Sequence, residues 1–125
     1  MREKESILLE KSLNFATRII KLKELLNKEK ETIIAKQIIR SATSIGANLN
    51  EANYGVTKAD FINKLHISLK ECAETEYWLK LLLKAEYIEQ KLGESLIEDC
   101  LEIKRILVAS LNTAKKKSEK FEEGV

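Results

Sequence analysis

Arg40-Ser41-Ala42-Thr43-Ser44-Ile45-Gly46-Ala47-Asn48-Leu49-Asn50-Glu51-Ala52 decides the fold, because its apolar and small residues recur at helical spacing. Taken with the residues before it, Ile34, Ile38, Ser41, Ile45, Asn48 and Ala52 follow one another in steps of four and three, the period of one helix face. A parallel seam of Ala35, Ile39, Ala42, Gly46 and Leu49 is built mostly of small side chains, which let two backbones approach closely. Gly46 costs about 1 kcal/mol relative to Ala inside a helix, so its presence predicts a bend or a tight contact. Asn48, placed in an apolar seam, needs partners for its amide.

The same reading extends to three further helices. In the run from Phe61 to Leu83, a seam of Phe61, Leu65, Ser68, Cys72, Thr75, Leu79 and Leu82 accompanies a second stripe of Ile67, Glu74, Trp78 and Leu81. A helix apolar on two sides is enclosed on two sides, and a four-helix bundle encloses only one. The surplus predicts contact between subunits, with Ile67, Tyr77, Trp78 and Leu81 as the interface. Toward the amino terminus, Leu8, Ser12, Phe15, Ile19, Leu22 and Leu26 form one seam and Leu9, Leu13, Ala16 and Ile20 another beside it. The last helix carries Leu96, Cys100, Ile103, Leu107, Ser110 and Ala114.

Punctuation between these runs is sparse, with no Pro and four Gly. Asn53-Tyr54-Gly55-Val56 reads as a turn in which Gly55 takes a positive φ, and Thr57-Lys58-Ala59-Asp60 starts the next helix like a capping box. So short a connection makes the second and third helices antiparallel neighbours and sets Arg40 level with Glu71 and Glu74. A partly buried ion pair that selects register is expected there. The chain thus reads as all-α: an antiparallel up-down-up-down four-helix bundle over residues 1–117, with helices at about 6–27, 31–52, 58–86 and 91–117. Residues 118–125 lack apolar periodicity and are expected to be a disordered tail.

The stretch Arg40 to Ala52, followed by Phe61-Ile62-Asn63-Lys64-Leu65-His66-Ile67-Ser68-Leu69 and Ala73-Glu74-Thr75-Glu76, resembles the proteins encoded in intervening sequences of bacterial 23S ribosomal RNA genes. The likeness runs from about Phe15 to Leu111 and includes polar as well as apolar positions. Gly46 stands where many members have Pro, and Ala52 where many have Gly. The resemblance implies a four-helix bundle assembled into a ring-like homo-oligomer, often a pentamer, with no established enzymatic activity. A more distant similarity, to the accessory protein of diversity-generating retroelements, implies partners among nucleic acids and a reverse transcriptase.

Composition narrows the function without naming it. A chain of 125 residues with 44% hydrophobic and 34% charged residues fits one water-soluble helical domain. Neither a membrane-length apolar run nor a secretory signal is present, so the cytoplasm is the expected compartment. A net charge of +2 is too small to identify nucleic acid as a partner. Its distribution says more, because Lys4, Lys11 and Arg18 recur every seven residues with Lys21 and Lys28 beside them. Such a stripe can track phosphates, or be a solvated face relieved by Glu3, Glu10 and Glu24. Glu94, Glu98, Asp99 and Glu102 near the start of the last helix, and Lys115, Lys116 and Lys117 near its end, suit the helix dipole; the lysines also offer a phosphate contact.

No catalytic constellation emerges. Cys72 and Cys100 lie in apolar patterns without metal-type spacing and read as core thiols. The single histidine, His66, lacks the Glu-x-x-His context of di-metal bundles, and no Arg precedes it at the spacing used by helical HEPN ribonucleases. There is no Gly-rich phosphate loop or nucleophile elbow. No metal or cofactor is expected. Two readings of function stand: a non-enzymatic oligomeric scaffold that binds nucleic acid or a nucleic-acid-processing partner through basic surfaces, and a purely protein-binding scaffold. An enzyme is the third class, for which no residues volunteer.

Overall fold

The computed structural model describes residues 3–123, apart from the side chains of Lys4 and of residues 120–123. Four helices make it up: α1 (Glu3–Lys28), α2 (Ile33–Ala52), α3 (Lys58–Lys84) and α4 (Gln90–Glu123). Each packs against its neighbours in sequence, and α1 closes the bundle against α4. The seams read from the sequence are the ones that meet. Leu8, Phe15, Ile19 and Leu26 of α1, Ile38 and Ile45 of α2, Leu65 and Leu79 of α3, and Leu96 and Leu107 of α4 are all essentially inaccessible to water. Burying a side chain of this size contributes about 1.5–3 kcal/mol, and these residues form a single continuous core.

The hydroxyls in the seams of α1, α2 and α3 do not break the core, because each is spent on a nearby acceptor. Ser12 Oγ donates to Leu8 O at 2.8 Å within α1. Between α2 and α3, Ser68 Oγ donates to Ile45 O at 2.7 Å, and Thr75 Oγ1 lies 2.8 Å from Ser41 Oγ. Asn48 meets its need locally, its side-chain amide donating to Ser44 O at 2.8 Å. Ser110 Oγ is the buried side-chain oxygen without a partner among the described residues. Gly46 marks a tight contact: a Cβ added there would sit 3.4 Å from Ser12 Cβ of α1.

Helix ends depart from the sequence reading in three places. Gly55 does not adopt a positive φ. It is needed for room instead, since a Cβ there would come within 3.2 Å of Ala52 O and 3.4 Å of Phe61 N. The left-handed positions are Lys30 (φ 61°) and Glu86 (φ 65°). They close α1 and α3 by the same device: Glu31 N donates to Leu26 O and Lys30 N to Asn27 O, Tyr87 N to Leu82 O and Glu86 N to Leu83 O. The expected disordered tail is helical as far as Glu123, while Gly124 and Val125 lie outside the described residues. At the start of α3 the Thr57 half of the expected capping box is present, with Asp60 N donating to Thr57 Oγ1 at 3.1 Å. Gly93, inside α4, lets Leu83 of α3 approach, its Cδ1 only 2.7 Å from where a Cβ would be.

Candidate functional site

The basic stripe of α1 is where the sequence pointed first, and α4 covers part of it. Lys11 Nζ lies 2.7 Å from Glu102 Oε1. Seven residues on, Arg18 NH1 lies 2.5 Å from Asp99 Oδ2 while its NH2 donates to Ser95 Oγ at 3.1 Å. The hydrogen bond from Lys11, with its positive charge, holds the Glu102 carboxyl below the usual range. In the acidic cluster of α4, Asp99 and Glu102 therefore pair with α1, while Glu98 pairs with Arg105 of α4 itself. The cluster is not a dipole cap, because α4 begins at Gln90 with no acidic residue in its first turn. Lys115, Lys116 and Lys117 fail the dipole reading for the same kind of reason, since the helix runs on past them to Glu123.

What remains of the predicted nucleic-acid contacts is divided between places. Lys21 and Lys28 are exposed and paired with no carboxylate among the described residues, and the side chain of Lys4 lies outside those residues. Lys115, Lys116 and Lys117 are likewise exposed and unpaired among the described residues. Lys117 also borders a groove of about 450 Å³. There the start of α1 (Glu5), the turn from Ala52 to Lys58, Phe61 and Ile62 of α3, and Ala114 of α4 come together. Lys58 is the second cation on its rim. No sequence pattern marked this groove, because its walls come from four separate segments.

From α2, Arg40 reaches two carboxylates of α3. Its NH1 lies 3.2 Å from Glu71 Oε2, and its NH2 pairs with Glu74 Oε2. Trp78 Nε1 donates to that same Glu74 oxygen at 3.1 Å. Burial works to lower the Arg40 pKa, but the charges of Glu71 and Glu74 outweigh it and raise it. The expectation of partial burial holds for Glu71, whose side chain is 21% exposed, and not for Arg40, at 49%. A pair so open to solvent contributes at most about 1 kcal/mol, and its clearer effect is to fix α2 against α3.

The four residues expected at an oligomer interface differ in their exposure. Ile67, Trp78 and Leu81 are half-buried within the bundle, Trp78 packing against the core. Tyr77 alone of the four is open, 59% exposed, with its ring edge-on to Trp78 at 5.2 Å between centroids. The exposed apolar line lies on α1. Leu13 is 61% and Ile20 49% exposed, with half-buried Leu9 and Ala16 completing steps of four, three and four. The sequence pattern marks these residues as a second seam beside the core-facing one of α1.

His66 is half-buried on α3. Among the described residues, no three His, Cys, Asp or Glu side chains gather in a way that suits a metal ion, and no helix is long and apolar enough to cross a membrane. By its architecture the chain is a four-helix bundle whose notable surfaces are an apolar stripe and separate groups of lysines. It belongs to the 23S rRNA-intervening sequence protein family, whose pattern matches residues 4–109. It is also similar to a protein of unknown function from the S23 ribosomal protein family of Bacteroides thetaiotaomicron, known from a crystal structure. The two are 49% identical, with a TM-score of 0.85 over 87% of this chain and 98% of the other. No curated protein matches the chain.

Proposed function

We propose that the protein is a non-enzymatic helical scaffold that acts as a homo-oligomer, its up-down-up-down antiparallel bundles associating side by side into a ring. The observation that carries this reading is the line of Leu13 and Ile20 on the outer face of α1, where a second copy would remove from water the apolar surface that one copy leaves exposed. The ring geometry rests on the family resemblance. Measuring mass in solution tests the assembly. The wild type is expected to run as several subunits, whereas Leu13→Gln combined with Ile20→Gln gives a single chain of unchanged helical content. A wild type that remains a single chain at high concentration sinks the assembly reading.

A second reading, that this scaffold contacts nucleic acid, is favoured by Lys58 and Lys117 on the rim of the groove, with Lys115 and Lys116 nearby. Phosphate contacts of this kind weaken steeply as salt is added. Titration with RNA and DNA at increasing salt distinguishes the alternatives. No binding at low salt would favour a scaffold for proteins alone, with a reverse-transcriptase-like protein as the partner class that the distant likeness implies.

A further inference from the structure

Cys72 on α3 and Cys100 on α4 are both fully buried, with their sulfurs 3.6 Å apart. Each thiol also lies against the other residue's backbone carbonyl, Cys72 Sγ 3.3 Å from Cys100 O and Cys100 Sγ 3.4 Å from Cys72 O. That reciprocal contact places the two backbones close together with both side chains in the gap between them. A disulfide requires about 2.05 Å between sulfurs, so closure needs the two thiols to turn toward each other without any rearrangement of chain order. A pair this close, inside a helix contact, is more than two separate core thiols.

We propose that Cys72 and Cys100 form a redox-reactive pair that a hydroperoxide converts into an intrachain disulfide tying α3 to α4. Either sulfur can attack first across this reciprocal contact, Cys72 being the favoured one. The hydrogen bond from the Cys100 thiol lowers its pKa, against the opposing effects of burial and of Glu76, with Lys104 helping. The same hydrogen bond, together with burial, raises that of Cys100. In the first step the Cys72 thiolate takes one peroxide oxygen. A sulfur–oxygen bond forms and the O–O bond breaks; the departing alkoxide or hydroxide collects the proton that Cys72 gave up. Cys72 is left as a sulfenic acid. In the second, Cys100 sulfur attacks that sulfur, the S–S bond forms, and the hydroxyl leaves as water with the Cys100 proton. One peroxide is reduced and two thiols are oxidised.

Access is the limiting feature, since neither cysteine is exposed. The Glu76–Lys104 ion pair, 3.3 Å across the same two helices, lies beside the thiols. Oxidation therefore proceeds through local opening of α3 from α4 and is slow relative to that of an exposed thiol. Once made, the bond closes the loop between residues 28 positions apart. Restricting the unfolded chain in this way raises the melting temperature by roughly 10 °C.

Reduced full-length protein is treated with hydrogen peroxide and followed by intact mass, by peptide mapping after blocking of free thiols, and by thermal melting. The expected product is a single chain lighter by two hydrogens, with a Cys72–Cys100 cross-linked peptide, a raised melting temperature, and full reversal by dithiothreitol. Cys100→Ala is expected to accumulate a sulfenic acid at Cys72 that dimedone traps, and Cys72→Ala to give no cross-link. Mapping of the wild type locates the bond even if a variant fails to fold. Covalent dimers, sulfinic acid without loss of hydrogens, or thiols still free after prolonged exposure would each overturn the proposal. So would a cross-linked product whose melting temperature is unchanged.

Discussion

At Lys30 and Glu86 the backbone adopts φ values of 61° and 65°, where a side chain costs about 1–2 kcal/mol and glycine almost nothing. Both residues are exposed, and both complete the paired carbonyl contacts that end a helix. Replacing either with Gly is expected to raise stability by about 0.5–1 kcal/mol, part of the gain being lost to the greater freedom of the unfolded chain. Chemical denaturation of the two single variants measures it. Ser110 offers a second test of the same kind. Its hydroxyl is buried without a partner, so Ser110→Ala removes an uncompensated polar group and installs a better helix former. A stabilisation of about 1 kcal/mol is expected, visible as a raised denaturation midpoint with an unchanged slope.

Between elements, hydroxyl contacts set α2 against α3. Thr75 Oγ1 is shared between Ser41 Oγ and the Glu71 carbonyl, each at 2.8 Å, in a place closed to water. Thr75→Val removes the side-chain partner of Ser41 and is expected to cost about 1–3 kcal/mol. Combined with Ser41→Ala, the loss should fall short of the sum of the two single changes, because the second change removes a group already deprived of its side-chain partner and left with Ile38 O alone. Additive losses would show that the two hydroxyls act independently. This contact also shows how much the sequence could tell. The spacing from Ile34 to Ala52 and from Phe61 to Leu82 placed Ser41 and Thr75 in facing seams, and a short turn put Arg40 beside Glu71 and Glu74. Periodicity assigns a residue to a face, however, and does not say which helix covers that face. For that reason Lys11 and Arg18 read as an open basic stripe until Glu102 and Asp99 came to lie against them, with Ser95 accepting a hydrogen bond. Trp78, for the same reason, read as an interface residue although the bundle itself half-buries it. The positive φ at Lys30 and Glu86 had no sequence signal, because glycine is the usual residue there and neither position has one.

For the whole molecule, 22 basic and 20 acidic side chains leave little net charge, so long-range attraction to nucleic acid is weak and local clusters decide. Lys58, Lys115, Lys116 and Lys117 would supply at most four phosphate contacts per chain. At about 0.9 counterion per contact, a single chain bound through them would lose roughly a hundredfold in affinity between 50 and 200 mM salt and hold nucleic acid poorly at the upper end. The proposed side-by-side association would change this, because linked copies would engage a long strand with avidity gains of roughly 10²–10⁴. The two surfaces are then expected to be coupled in function although they lie apart. Leu13→Gln with Ile20→Gln adds no charge. It should weaken binding to a long RNA by roughly a hundredfold or more while leaving affinity for an oligonucleotide that spans one site unchanged. Lys58→Glu with Lys117→Glu should weaken both and flatten the salt dependence of each by about one unit per lysine removed. Fluorescence anisotropy with the two RNA lengths separates these outcomes. Equal loss on the long and short RNA in the α1 variant would mean that the stripe contacts RNA itself, and no loss on either would uncouple assembly from binding.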